Sequence, residues 1–254
     1  LRLFGGFAIE RPGNETPATA RRGKSQLRPI AILRALALLG PRGGDRRALA
    51  RRVWRGEDPD DQADALDMAI GRARKLIGDD TLVRIQDGRF FLDASRVYVD
   101  AWALNDIERI ATDARHQQVP LLALQDLGEQ LIDIYQGRLL DDDDSMAASA
   151  VLIEQYRERF IATATLIAEL LAPGQLRAAT VLLQRAIERE PYSERLYRVL
   201  IELLARAGEY AEAMRWYRRC QHAVSQAYGV AVAPSTDALL ALIHTPPPSA
   251  PVER

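Results

Sequence analysis

Two similar segments in the C-terminal half repeat at a spacing of 34 residues, one beginning at Gly174 and the other at Gly208. They read GQLRAATVLLQRAIEREP and GEYAEAMRWYRRCQHAVS, and they align Ala179 with Ala213, Leu182 with Trp216 and Leu183 with Tyr217. A period of this length predicts helix-turn-helix units that stack side by side. Because two units are too few to bury a continuous core, the helical sequence from about residue 100 must complete it.

The first 93 residues have a different pattern, in which short strands flank three helices. LRLFGGFAIE predicts two strands joined at Gly5 and Gly6, followed by a weakly structured stretch. Apolar residues at helical spacing predict helices over 25–40, 45–54 and 63–78, the second capped by Asp45. TLVRIQDGRFFLD then predicts a hairpin that turns at Asp87-Gly88. Helices followed by a two-stranded wing are the winged form of the helix-turn-helix.

The expected fold class is therefore mainly α with small β elements. We expect a winged-helix DNA-binding domain over residues 1–96 and an all-α domain of tetratricopeptide-like helical repeats over 97–245. Asp100 is a candidate cap for the first helix of the second domain. The proline-rich residues 246–254 predict a disordered tail.

Charge is distributed unevenly along the chain. Residues 1–93 contain 18 Lys and Arg against 13 Asp and Glu, whereas residues 94–254 contain 16 against 22. This asymmetry is expected if only the first half meets a polyanion, although chance sampling of a charge-rich sequence would also produce it.

The absence of a long apolar run and of a signal segment, together with a single cysteine, favours a cytoplasmic protein without a membrane partner. The chain begins at Leu1 rather than Met, which is consistent with a missing N-terminal regulatory domain.

Several segments in fixed order point to one family: LRLFGGFAIE, DRRALARRVW, ALDMAIGRARKLIG, IQDGRFFLD, VDAWAL, IDIYQGRLL, YRERF and REPYSERLYRVLIELLARAGEYAEAMRWYRR. Together they resemble the SARP-type antibiotic regulatory proteins, which join an OmpR-type winged helix to a bacterial transcriptional activation domain. The resemblance extends from Leu1 to about Ile243. It implies a signal-responsive transcription regulator, an activator that binds double-stranded promoter DNA and recruits RNA polymerase, with no cofactor.

The third predicted helix is the candidate recognition helix. Its inner face comprises Leu66, Ile70, Ala73 and Ile77. Its outer face comprises Asp64, Met68, Gly71 and Lys75. Arg72 flanks the outer face on one side, and Asp67 and Arg74 flank it on the other. Arg can bind guanine with two hydrogen bonds, and Lys can meet phosphate, when such a helix enters the major groove. A solvated charged face is the alternative interpretation.

Further arginines could contact the DNA backbone. Arg84 and Arg89 flank the hairpin turn, where they could reach the minor groove or phosphates, or simply be exposed hairpin residues. In the second helix, Arg46 and Arg47 are candidates for phosphate contacts.

Three residues of the recognition helix argue against DNA binding. Gly71 replaces the polar or basic residue of OmpR-type domains and weakens the helix by roughly 1 kcal/mol relative to alanine. Asp64 and Asp67 place negative charge near phosphates, unless they accept hydrogen bonds from cytosine. The alternative function is a protein- or ligand-binding regulatory module whose winged helix has lost DNA readout and whose helical repeats form the binding surface.

The remaining candidates concern partners and metals. In the resembled family the loop between the second and third helices touches RNA polymerase, which here assigns that contact to Glu57, Asp58, Asp60 and Asp61; an ordinary solvated loop is the alternative. Binding to tandem sites would require a homodimer.

Asp141 to Asp144 lack the ligand order of an EF-hand, and the histidines are scattered, so we expect no metal site. With no nucleophile or phosphate-loop motif, we expect no catalytic residues and no enzymatic activity.

Overall fold

The computed structural model describes residues 1–11, 14–19, 27–54, 63–141 and 150–244. They form two compact units, the first comprising residues 1–106 with 137–156 and the second comprising residues 107–136 with 157–254. The first unit contains β1 (Ala8–Arg11), β2 (Asn14–Thr19), α1 (Leu27–Leu39), β3 (Gly44–Asp45), α2 (Arg46–Val53), α3 (Ala63–Ile77), β4 (Val83–Gln86) and β5 (Arg89–Leu92). The remaining helices are α4 (Asp100–Asp113), α5 (Leu121–Ile134), α6 (Ala150–Leu171), α7 (Leu176–Arg189), α8 (Glu194–Arg206), α9 (Tyr210–Tyr228), α10 (Pro234–Asp237) and α11 (Leu239–His244).

The expected fold class, mainly helical with small β elements, is confirmed. α1, α2 and α3 begin and end within two residues of their predicted bounds. Asp45 is the N-cap of α2, and its Oδ1 accepts the Ala48 N–H at 2.7 Å. The predicted hairpin is formed by β4 and β5, and Asp87 (φ 50°) and Gly88 (φ 72°) both have the positive φ of a type I′ turn.

The start of the chain differs from the sequence prediction. Of the two strands predicted around Gly5-Gly6, the first is only an isolated antiparallel bridge between Arg2 and Ala8, and the stretch predicted to be weakly structured contains β2. β2 pairs antiparallel with β1, with Ala8 opposite Thr19. Its sequence, NETPAT, is polar and contains a proline, so it lacks the apolar alternation from which a strand is predicted. The backbone pairing with β1 therefore determines this strand.

Residues from a distant part of the chain complete the β structure of the first unit. The Leu140 N–H donates to the Leu3 carbonyl at 2.7 Å, and the Gly5 N–H donates to the Arg138 carbonyl at 3.0 Å.

β3 extends the hairpin to a three-stranded antiparallel sheet in the order β3-β5-β4. A side chain at Gly43 would place Cβ 1.9 Å from the Phe90 carbonyl oxygen, so only glycine permits this close approach.

Asp100 has a larger role than the predicted helix cap. It is the first residue of α4, it is only 3% exposed, and its carboxylate accepts N–H groups of Leu3 (2.7 Å), Phe4 (2.9 Å) and Ala101 (2.7 Å). Burial raises the pKa of this carboxyl, against the opposing effect of the N–H donors. The side chain therefore connects the first residues of the chain to the start of α4.

The second unit is built from packed helix pairs, which confirms the predicted repeat. α7 packs against α8 and α8 against α9, and the aligned residues Ala179, Ala213, Leu183 and Tyr217 are buried. α5 packs against α7, so a preceding helix extends the core as expected. Cys220 is buried in the second repeat, and burial raises the pKa of its thiol to about 12.

A buried polar network connects three helical segments of this unit. The Tyr135 hydroxyl donates to Glu190 Oε1 at 2.6 Å, and Arg157 Nε donates to Glu190 Oε2 at 3.0 Å. The Tyr135 ring stacks on Phe160 with centroids 3.8 Å apart. Both carboxylate oxygens of Glu190 are therefore satisfied, as a buried charge requires.

Within the described ranges, the helices lack the combination of length and apolar character that crossing a bilayer requires.

We expect Asp100→Ala to lower the free energy of unfolding by about 2–4 kcal/mol, because the buried N–H groups of Leu3 and Phe4 lose their acceptor. Urea unfolding followed by tryptophan fluorescence measures this change. As a control, Asp113→Ala removes an exposed carboxylate at the other end of α4 and should change the free energy by less than about 0.5 kcal/mol. Equal stability of the two variants would show that the Asp100 contacts contribute nothing.

Candidate nucleic-acid interface

The inner face of α3 is buried as the sequence predicts. Leu66, Ile70, Ala73 and Ile77 are all buried, and α3 packs against α1. Four residues at helical spacing lie in the same core, so α3 cannot rotate about its axis without exposing apolar surface. The residues on its opposite side are therefore presented to solvent in a fixed arrangement.

The outer face of α3 presents a methionine, then a glycine without a side chain, and then two cationic side chains. Met68 is 61% exposed, and Arg72 and Lys75 are also exposed. At Gly71, a Cβ would meet no atom of the described residues within 4 Å. Neither Arg72 nor Lys75 has a hydrogen-bond or ion-pair partner among the described residues. Asp64 lies in the first turn of α3, but its side chain is outside the described part of the structure.

Asp67 and Arg46, both predicted to contact DNA, bind each other. Arg46 Nη2 lies 2.9 Å from Asp67 Oδ1 and 3.2 Å from Oδ2, and the guanidinium lies 5.6 Å from the centre of the Phe90 ring. This ion pair joins the first turn of α2 to the middle of α3. The carboxylate that argued against DNA binding is thus accompanied by a positive charge, and both groups stay partly exposed.

Arg74 connects the candidate recognition helix to the hairpin. Its Nε and Nη2 donate to the Val83 carbonyl at 3.1 and 2.8 Å. Val83 is the first residue of β4, so these two hydrogen bonds set the position of the hairpin relative to α3. Sequence reasoning placed Arg74 only on the flank of the helix, because helical spacing gives no information on a backbone carbonyl in another element.

The two hairpin arginines flank the turn as predicted, and both also have contacts within the unit. Arg84 Nη1 lies 3.3 Å from Asp93 Oδ2. The pKa of Asp93 is lowered mainly by hydrogen bonds from Ser95, with a further contribution from Arg84. Arg89 donates to the carbonyls of Arg42 (3.2 Å) and Gly43 (2.9 Å), which joins the hairpin to the loop before β3. In the first turn of α2, Arg47 is exposed.

An open groove of about 680 Å³ lies between the end of α1 and the hairpin turn. Leu39 and Phe91 form apolar parts of its surface, and Arg42, Asp87 and Arg89 supply charged groups. Local sequence patterns do not predict this groove, because it is formed by segments that are far apart along the chain.

Some predicted residues lie outside the described part of the structure. These are the acidic loop residues assigned to polymerase contact (Glu57, Asp58, Asp60 and Asp61) and most of the run Asp141 to Asp144. Among the described residues, no group of three His, Cys, Asp or Glu is arranged to hold a metal ion.

Comparison with known proteins identifies the family. The profile of the bacterial transcriptional activator domain matches residues 99–244, more than half of the chain. No curated protein sequence matches the chain. A similar solved structure is that of EmbR from Mycobacterium tuberculosis in complex with a low-affinity phosphopeptide, with a TM-score of 0.65 and 20% sequence identity. The match covers 95% of this chain and 63% of the EmbR chain, and at this identity it shows a common fold.

The domain match and the fold agree with the resemblance seen in the sequence. The matched residues include all of α5 to α9, which form the helical repeats, and the match to EmbR extends over nearly the whole chain. The chain belongs to the family of proteins that contain a bacterial transcriptional activator domain, as its resemblance to the SARP-type regulators implied.

Proposed function

We propose that this regulator activates transcription by binding double-stranded promoter DNA through α3 and the β4–β5 hairpin. The observation that supports this most strongly is the outer face of α3, where Arg72 and Lys75 are exposed and without partners among the described residues. α3 has 15 residues and is therefore about 22 Å long. A helix of this size fits the major groove, where an arginine and a lysine can reach guanine and phosphate.

The electrostatic balance of α3 also favours a polyanionic partner. The ion pair with Arg46 offsets the charge of Asp67, while Arg72 and Lys75 have no neighbouring carboxylate within hydrogen-bonding distance among the described residues. DNA binding would therefore break no existing ion pair of these two cations. The Asp67 charge was one reason to consider a winged helix that has lost DNA readout, and this pairing weakens that alternative.

The contacts within the unit suggest different roles for the predicted arginines. Arg72 and Lys75 would contact DNA directly. Arg74 and Arg89 each donate two hydrogen bonds to carbonyls within the unit, and these bonds would hold the hairpin beside α3. Arg46, Arg47 and Arg84 are exposed or partly exposed and could add phosphate contacts at the edges.

The remaining elements of the proposal concern the rest of the chain and its partners. We propose that residues 1–96 act as the DNA-binding domain and residues 97–245 as the activation domain. The acidic residues between α2 and α3 would contact RNA polymerase in the cytoplasm. Dimers would occupy tandem sites one helical turn apart or a multiple of it.

We expect affinity for duplex DNA to fall steeply with salt concentration, since phosphate contacts release counterions. Sequences selected from a randomised duplex library by the unmodified chain provide the ligand. Lys75→Ala should reduce the slope of log K against log salt by about one unit, as expected when one phosphate contact is lost. Arg215→Ala, at an exposed site on α9, should leave the slope unchanged. The proposed function fails if no duplex is bound or if binding is insensitive to salt.

We expect the double variant Arg72→Ala, Lys75→Ala to bind the selected duplex at least about tenfold more weakly, because one base contact and one phosphate contact are lost. Gel-shift titration measures the affinity. Circular dichroism and thermal unfolding should match the unmodified chain, since both side chains are exposed and make no described contacts. Unchanged affinity would assign DNA binding to another surface.

A further inference from the structure

Gly71 has no structural explanation among the described residues. Of the two glycines inside described helices, Gly128 in α5 is constrained, because a Cβ there would lie 3.0 Å from Leu182. Gly71 has no positive φ, and a Cβ there would point into open space. Glycine inside a helix is less stable than alanine, so this residue destabilises α3 without improving the packing of the unit.

The neighbours of Gly71 show what could approach it. On a helix, residues three and four apart lie side by side, so Met68 and Lys75 share the face of Gly71, and Arg72 lies at the flank of that face. Met68 is 61% exposed, which makes it a large apolar group on an otherwise polar surface. The surface therefore combines an apolar side chain, a bare stretch of backbone and two cations.

We propose that the major groove of duplex DNA approaches the backbone of α3 at Gly71, and that Met68 contacts the 5-methyl group of a thymine beside that point. This inference rests on the proposed DNA binding. An α-helix with its side chains nearly fills the major groove, so a position without a side chain allows the helix to lie deeper. The two neighbouring cations favour DNA over a neutral protein surface as the occupant.

The role of Met68 follows from the chemistry of the groove. The thymine methyl is the apolar group that the bases present on the major-groove side, and apolar side chains recognise it. Methionine is unbranched and adapts its shape to such a contact. Met68 would therefore contribute specificity for thymine, while Gly71 would set the distance between the helix and the bases.

The first test uses Gly71→Ala and Gly71→Leu. We expect Gly71→Ala to raise the Tm by about 2–8 °C, because alanine stabilises the helix, and to weaken binding to the selected duplex several-fold. Gly71→Leu should weaken binding further while keeping the circular dichroism of the unmodified chain. The matched control, Ala211→Leu, enlarges an exposed side chain on α9 and should leave the affinity unchanged.

Increased stability with reduced affinity would support the close approach at Gly71. If both Gly71 variants bind as tightly as the unmodified chain, the close approach is wrong although DNA binding stands. If the unmodified chain selects no duplex, the proposed function itself fails, so the two failures are distinguishable.

The second test replaces single thymines of the selected duplex by uracil, which removes only the 5-methyl group. For the unmodified chain we expect about a three- to fivefold loss of affinity at one or two positions, as for one lost methyl contact. Met68→Ala should bind thymine and uracil duplexes equally, and Met68→Leu should retain part of the preference. A uracil effect that persists in Met68→Ala, or no effect at any thymine, would overturn the assignment of Met68.

Discussion

The burial of one face of α3 determines most of what the first unit can present to a partner. Leu66, Ile70, Ala73 and Ile77 lie in the core, and at roughly 25 cal/mol for each Å² of apolar surface, rotating them into water would be costly. The helix is thus held at a fixed angle about its axis. Since the outer residues follow the same helical period, their direction is a consequence of the core, and the proposed recognition surface depends on these four residues as much as on its own side chains.

The arginines of the first unit illustrate how the same residue type takes different roles. From the sequence, all of the basic residues near α3 and the hairpin are equivalent cations, because charge and spacing do not specify a partner. In the structure, Arg74 bonds to the Val83 carbonyl, Arg89 to the Gly43 carbonyl, and Arg46 to Asp67. A guanidinium has five N–H donors in a fixed plane, which suits it to holding backbone carbonyls in place. The positions of these arginines therefore give the hairpin a defined location beside α3.

The sequence predicts those elements whose signals are local. The helices α1 to α3, the Asp45 cap, the Asp87-Gly88 turn and the repeat all follow from periodicity or from residues that are close together. β2 and the pairing of Leu140 with Leu3 depend on distant backbone partners, and no local pattern announces them. The same holds in the candidate site: the inner face of α3 was predictable, whereas the Arg46–Asp67 pair and the groove beside the hairpin turn arise from segments that meet only after folding.

The glycines show why a sequence pattern can be right for different physical reasons. Gly174 and Gly208 occupy equivalent places in the repeat, yet a Cβ at Gly174 would lie 2.5 Å from Leu121, whereas Gly208 has open space and a φ of +81°. The first lies close against the end of a leucine side chain, which would have to shift to admit a Cβ, whereas the second is favoured by its backbone conformation. Gly71 meets neither requirement, since its backbone is helical and its surroundings are open. A residue that destabilises its own helix without improving the packing of the unit is best understood through an external partner, and the exposed cations beside it favour the polyanion that we propose.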